Sequence, residues 1–173
     1  FYYGAMADKF EGSIHNPTIR GLTLAVKEPI GVVANILNDD YPLLSLITTL
    51  GSNFAAGNAS IIGPGQKTSL LATELYQLLE TSDVPAGYIN ILTTKQNSLN
   101  KILSEHENID GIWFFSENNN ERLKVIQSTT SNLKRSWCPQ SKNLDWSSKE
   151  EHFLEEFLYQ STQVKNIWIP YGE

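Results

Sequence analysis

Residues 27 to 69, KEPIGVVANILNDDYPLLSLITTLGSNFAAGNASIIGPGQKTS, constrain the fold more than any other stretch. Pro29–Leu37 is apolar and rich in β-branched residues, which predicts a buried strand. Asp39 and Asp40 are candidate caps for a following helix. Pro42 suits a first helical position, and Leu43, Leu44, Ile47 and Leu50 recur at helical spacing. After the small-residue run Gly51–Gly57, Ala59–Ile62 predicts a second strand. Strand, helix and strand in this length make a βαβ unit, which implies parallel strands with the helix across one face.

The rest of the chain alternates in the same way. Phe1–Phe10 reads as a helix end. Ile14–Lys27 offers two short extended pieces broken at Asn16-Pro17 and Arg20-Gly21. Lys67–Glu80 is an amphipathic helix with Leu70, Leu71, Leu75, Leu78 and Leu79 as its apolar stripe. Strands are expected at Tyr88–Leu92, Gly111–Phe115 and Leu133–Trp137, with helices at Asn97–Ser104 and Asn119–Thr129. A polar stretch to Ser148 precedes a helix over Lys149–Tyr159. In the strand that follows, Thr162–Ile169, Val164 and Trp168 share one face, and Ile167 and Ile169 the other.

A chain of 173 residues that is 40 % hydrophobic can bury one good core. Its net charge of −6 gives no footprint for nucleic acid. No apolar run is long enough to span a bilayer, and no signal pattern is seen, so no membrane partner is expected. A single cysteine, Cys138, excludes an internal disulfide and points to a reducing, cytoplasmic setting. Asn58-Ala59-Ser60 matches a glycosylation sequon, but it sits at a buried-looking strand and reads as chance. The chain opens on FYYGAMADKFEG, without an initiator methionine, as a piece of a longer protein would.

The KEPIGVV run, Tyr41-Pro42-Leu43-Leu44, Ala55-Ala56-Gly57-Asn58 and the strand after it resemble the aldehyde dehydrogenase family in order and spacing. Ala7-Asp8-Lys9 with Gly12, Pro85-Ala86-Gly87, His106 to Asp110, and Ser131-Asn132-Leu133-Lys134-Arg135 extend the likeness. The resemblance implies a Rossmann-like α/β fold with a parallel sheet, helices on both faces, and an antiparallel oligomerisation arm. It places the hairpin arm at 13–28 within a degenerate cofactor-type domain over 1–162, with a C-terminal strand over 163–173 joining the arm. The arm residues expected at an oligomer interface are Ile14, Leu22, Leu24, Val164, Ile167, Trp168 and Ile169.

Several positions depart from the family pattern. Asn38-Asp39-Asp40 stand where the family has Pro-Trp-Asn, and an ionised Asp40 can only accept hydrogen bonds where the family amide donates one to an oxyanion. Gly63 replaces the ribose-binding Lys. Ser116 and Glu121 replace the glycines of the phosphate turn, and Glu117 adds a charge that repels pyrophosphate. As plain structure, Glu117 and the Asn run suit a capped helix start. Gln66, where the family often has an acidic ribose ligand, is a residual hint of nucleotide, although Gly63–Thr68 does not meet the phosphate-loop spacing. Pro139 falls where the family's Glu general base would be. Setting Phe157–Val164 against the nucleophile loop puts Val164 at the thiol position, and the C-terminal-strand match gives no thiol either. Cys138, beside a strand end with no nearby His, reads as a small buried apolar residue. Asp39 with Asp40, and the isolated His15, His106 and His152, show no metal spacing.

These readings point to a shortened second unit like that of the tandem aldehyde dehydrogenase family 16. The expected function is a non-catalytic module for oligomerisation or partner binding: no enzyme activity, no cofactor, no catalytic residue, no metal. Its partner would be a second copy or an adjoining catalytic unit. The alternatives are a residual dinucleotide-binding domain of an NAD-dependent oxidoreductase and a free-standing protein-binding adaptor.

Overall fold

The computed structural model describes residues 1–18 and 20–171. Ile19, within the expected arm, and Gly172 and Glu173, at the end of the expected terminal strand, lie outside the described residues. In chain order the elements are α1 (Tyr2–Met6), β1 (Ser13–His15), β2 (Gly21–Pro29), β3 (Val32–Ile36), α2 (Pro42–Ala55), β4 (Ala59–Gly63) and α3 (Ser69–Glu80). They continue with β5 (Ile89–Ile91), α4 (Gln96–Glu105), β6 (Gly111–Phe114), α5 (Asn119–Ser128), β7 (Arg135–Trp137), α6 (Glu151–Gln160) and β8 (Thr162–Pro170).

Five strands form a parallel sheet in the order β5-β4-β3-β6-β7. Strand alternation sends Val33 and Leu37, with Trp113 and Phe115, to one face, where they pack with Leu46 and Leu50 of α2, Ala72 of α3, Phe157 of α6 and Trp146 of the segment before α6. Ala34 and Ile36, with Ile112 and Phe114, go to the other face against Leu99 and Leu103 of α4 and Val125 of α5. Helices on both faces explain why central β3 and β6 are near-continuous apolar runs.

A separate antiparallel sheet has the order β1-β2-β8, with β2 and β8 in register from Gly21 opposite Pro170 to Pro29 opposite Thr162. The expected α/β architecture with an antiparallel arm is therefore present. The single strand expected over Pro29–Leu37 is divided, however. β2 ends at Pro29, and Gly31 takes φ +128°, where an added Cβ would strike the Asp110 carboxylate. Asn58 Oδ1 accepts the Ile30 and Gly31 N–H groups at 2.7 and 2.9 Å, and Asp110 Oδ2 accepts that of Val32 at 2.8 Å. This turn leaves Pro29 at the end of the antiparallel strand and starts the parallel strand only at Val32.

Asp39 and Asp40 do not cap α2. Its N-cap is Tyr41, in the left-handed region at φ +47°, with no side-chain cap bond. Asp39 Oδ1 instead accepts the Lys67 N–H at 2.8 Å, and Asp40 Oδ2 accepts from Asn38 Nδ2 at 2.7 Å. The helix faces also differ from expectation. Leu43, Leu44 and Ile47 are exposed, while α2 buries Ser45, Thr49, Ser52 and Asn53 beside Leu46 and Leu50. The Thr49 and Ser52 hydroxyls donate to carbonyls four residues back, so their burial leaves no donor unpaired. In α3, Leu70, Leu71 and Leu78 point outward, and the inner row is Ala72, Leu75 and Tyr76. β7 starts at Arg135 rather than Leu133, which is exposed at φ +57°.

Candidate functional site

Chain direction along the sheet fixes where a ligand can sit. From β3 the chain steps outward to β4 and β5, then returns to the other side of β3 as β6 and β7. The loops leaving the carboxyl ends of β3 and β6 therefore diverge to opposite faces and leave a crevice, the usual ligand position in an open parallel sheet. A cavity of about 350 Å³ lies there, lined by Asn38, Asp39 and Asp40 after β3, Ser116 and Glu117 after β6, and Gln96, Asn97 and Asn100 of α4. Asn97, Asn100 and Glu121 also line a groove of about 630 Å³ between α4 and α5, which carries Lys101 and Lys124.

Each carboxylate around the crevice has a structural partner. Besides the bonds of Asp39 and Asp40, Glu117 accepts the Lys142 N–H, and Glu121 accepts from Ser116 Oγ at 3.3 Å. The Asn118 side chain caps α5, taking the Asn120 and Glu121 N–H groups at 3.0 and 3.4 Å. The turn is thus a capped helix start through Asn118 rather than Glu117, and two of the N–H groups that a phosphate would use are already occupied. Gly63 is also accounted for: a Cβ there would collide with Leu99 Cδ2, so the space beside the strand is filled by α4.

Sequence reasoning missed Asn100. Its Oδ1 is buried without a partner, between the crevice and the α4–α5 groove. An unpaired buried acceptor fits a donor such as a ribose hydroxyl or an adenine amine. Nothing in local sequence marks this Asn apart from its neighbours. Four carboxylates with no Lys or Arg in the crevice lining, among the described residues, do not fit a pyrophosphate at the β6–α5 turn.

Cys138 packs against the cluster on the α4–α5 face, and burial pushes its thiol up to about 11 against partial relief from Arg122 and a backbone hydrogen bond. That is an inert thiol at neutral pH. Asn58 is 1 % exposed, so the sequon cannot accept a glycan in the folded chain. Among the described residues, no group of three or more metal-ligating side chains is assembled, and no helix is long and apolar enough to cross a membrane.

The arm residues fall into two sets. Ile14, Leu24 and Ile167 lie side by side across the three strands, next to the Leu22–Ile169 pair, while Val164 and Trp168 are on the opposite face. Trp168 is 59 % and Ile169 47 % exposed, so both faces of β8 present apolar groups to solvent.

A sequence model described as the aldehyde dehydrogenase family matches residues 1–138. The chain is 32 % identical over 136 residues to the NADP/NAD-dependent aldehyde dehydrogenase PuuC of Escherichia coli, covering 79 % of this chain and 28 % of that protein. It is 30 % identical to an aminoacetaldehyde dehydrogenase of Pseudomonas aeruginosa, covering 78 % of this chain and 27 % of that protein. Among solved structures, PnpE, known from Pseudomonas sp. WBC-3, in complex with nicotinamide adenine dinucleotide superposes with a TM-score of 0.75 at 31 % identity, covering 80 % of this chain and 28 % of that one. The chain therefore spans less than a third of the length of these relatives. The expectation of a non-catalytic module without enzyme character does not stand, because the relatives it matches are aldehyde dehydrogenases. It rested on a missing thiol and general base, and a stretch that matches about 28 % of a relative is not where all of that relative's chemistry is found.

Proposed function

The chain belongs to the aldehyde dehydrogenase family, and from that premise we propose that it forms the dinucleotide-side domain of an NAD(P)-dependent aldehyde oxidoreductase. The observation that carries this reading is the switch-point crevice of its parallel sheet, continuous with the α4–α5 groove. A bound dinucleotide would supply the hydride acceptor for aldehyde oxidation. The residues of this chain bear on its adenosine side: Asn100 offers an unpaired acceptor, and Lys101 and Lys124 supply positive charge in the groove. The β6–α5 turn does not fit the pyrophosphate, so no hydride-transfer step is assigned to these residues.

Binding is expected to be weak. Losing one or two charge-assisted hydrogen bonds costs about 1.5–3 kcal/mol each, and each 1.4 kcal/mol is about tenfold in affinity. A micromolar site would thereby fall to roughly millimolar. Calorimetric titration of the chain with NAD⁺ and NADP⁺ should show saturable binding near that range, weakened by Asn100→Leu. Absence of saturable binding to either nucleotide at about ten times that concentration would refute the reading.

A second site is supported by the arm. Among the described residues the outer edge of β8 is unpaired, and Val164, Trp168 and Ile169 are exposed, which suits addition of a strand from a second copy or an adjoining unit. The direct passage from α6 into β8, which pairs with β2, favours placement with the shortened second units of tandem family 16.

A further inference from the structure

The segment between β7 and α6 lies beyond the stretch that matches the family. It leaves the carboxyl end of β7 and turns back over the ends of the two strands that flank the crevice. Ser141 Oγ accepts from Asn38 Nδ2, just after β3, and the Lys142 N–H donates to Glu117, just after β6. Ser141 is 3 % exposed, inside a short helical turn over Ser141–Asn143. Beyond it, Trp146 is buried on the α2 face of the sheet, with its ring 5.2 Å from that of Phe115 and 5.4 Å from that of Phe157. Asn38 and Glu117 both line the crevice. Two rim residues from opposite sides of the switch point thus hold the same passing segment, and Trp146 anchors its far end.

We propose that residues 139–148 are a strap held across the α2 side of the switch-point crevice by its rim residues, so that a ligand spanning the β3 and β6 ends reaches that side only when the strap lifts. The strap also gives Glu117 a role: its carboxylate fastens the closed state. The Trp146 indole N–H is buried with no partner, so the closed state holds one unpaired donor that lifting would release to water. The ligand class rests on the dinucleotide reading above, while closure itself can be tested without any nucleotide.

Ser116 lines the crevice beside Glu117 and serves as the reporter. In a Cys138→Ser background, the thiol of a Ser116→Cys variant should react slowly with a maleimide. Adding Asn38→Ala and Glu117→Ala should speed labelling at least tenfold, with far-UV circular dichroism unchanged. Ser141→Ala with Glu117→Gln, a milder pair if the first does not fold, should give a smaller increase in the same direction. Equal labelling rates in the parent and in a folded variant would overturn the strap. Amide exchange over Ser141–Trp146 should rise in parallel, and labelling that speeds up without it would also overturn the strap, since access would then come from elsewhere. If labelling and exchange both rise while NAD⁺ titration shows no binding to parent or variant, the strap stands and the dinucleotide reading falls.

Discussion

The two sheets of this molecule use similar residues to opposite ends. β3 carries Val33, Ala34 and Ile36 and is shut off from solvent on both faces. β8 carries Val164, Ile167, Trp168 and Ile169, and almost every residue of it is at the surface. The difference is one of cover. The parallel sheet requires crossover helices, and those helices bury it. The arm is built from antiparallel strands that need no crossover, so nothing in the connection brings a layer onto it. An apolar strand is thus covered in one region by the chain itself, and in the other it is left at the surface.

The joint between the two regions is a buried amide. Asn58 Nδ2 donates to the Ser161 carbonyl at 2.7 Å, at the start of β8, while Asn58 Oδ1 holds the β2–β3 turn. Asn58 also donates to Asn53, which reaches Asn35 within the parallel sheet. Arg135 adds a second tie, donating to the Thr162 carbonyl next to the end of α6.

The comparison can be broken at four points. Phe157 is fully buried among Trp113, Trp137, Trp146 and Phe153, so Phe157→Ala should cost about 3–5 kcal/mol in urea unfolding. A cost below about 1 kcal/mol would mean that α6 does not close the parallel sheet. Asn58→Ala strands the Ile30 and Gly31 donors and the Ser161 acceptor, and a loss of about 2–4 kcal/mol is expected. Hydrogen exchange should rise on both sides of the joint; a rise confined to the arm would show that Asn58 serves only one region. In the arm, Ile167→Asp with Trp168→Ser should change monomer stability by about 1 kcal/mol or less. Sedimentation of the same variant should show weaker self-association or weaker capture of an adjoining unit, and association as strong as the parent's would remove the arm interface.

The smallest effect concerns pH. Burial raises the Cys138 thiol to about 11, above its ordinary value of 9.0, so the folded chain holds this proton more tightly than the unfolded chain. The resulting stability is present below pH 9 and is lost as pH rises from 9 to 11. Tyr3 is raised as well, chiefly by burial, and extends the decline to higher pH. Urea unfolding between pH 8 and 11 should show a shallower decline in Cys138→Ala than in the parent. Identical slopes would mean that the thiol is open to solvent in the folded chain.

Local sequence determined the element types because they depend on local geometry. The β-branched run of β3, the small-residue approach to β4 and the arm strands are legible residue by residue, and they sit in family order. Which face of an element is covered was decided by tertiary structure. In α2 and α3 the helix period was visible, but apolarity marks a side chain that can be buried, not the side on which a partner waits. Hence Leu43, Leu44, Ile47, Leu70 and Leu78 face outward, and Thr49, Ser52 and Ala72 face inward. The crevice followed the same rule. Asp39 and Glu117 are carboxylates whose role depends on the donor that reaches them, and those donors, the N–H groups of Lys67 and Lys142, lie 28 and 25 residues away in the chain. Only the folded backbone brings such groups within hydrogen-bonding distance.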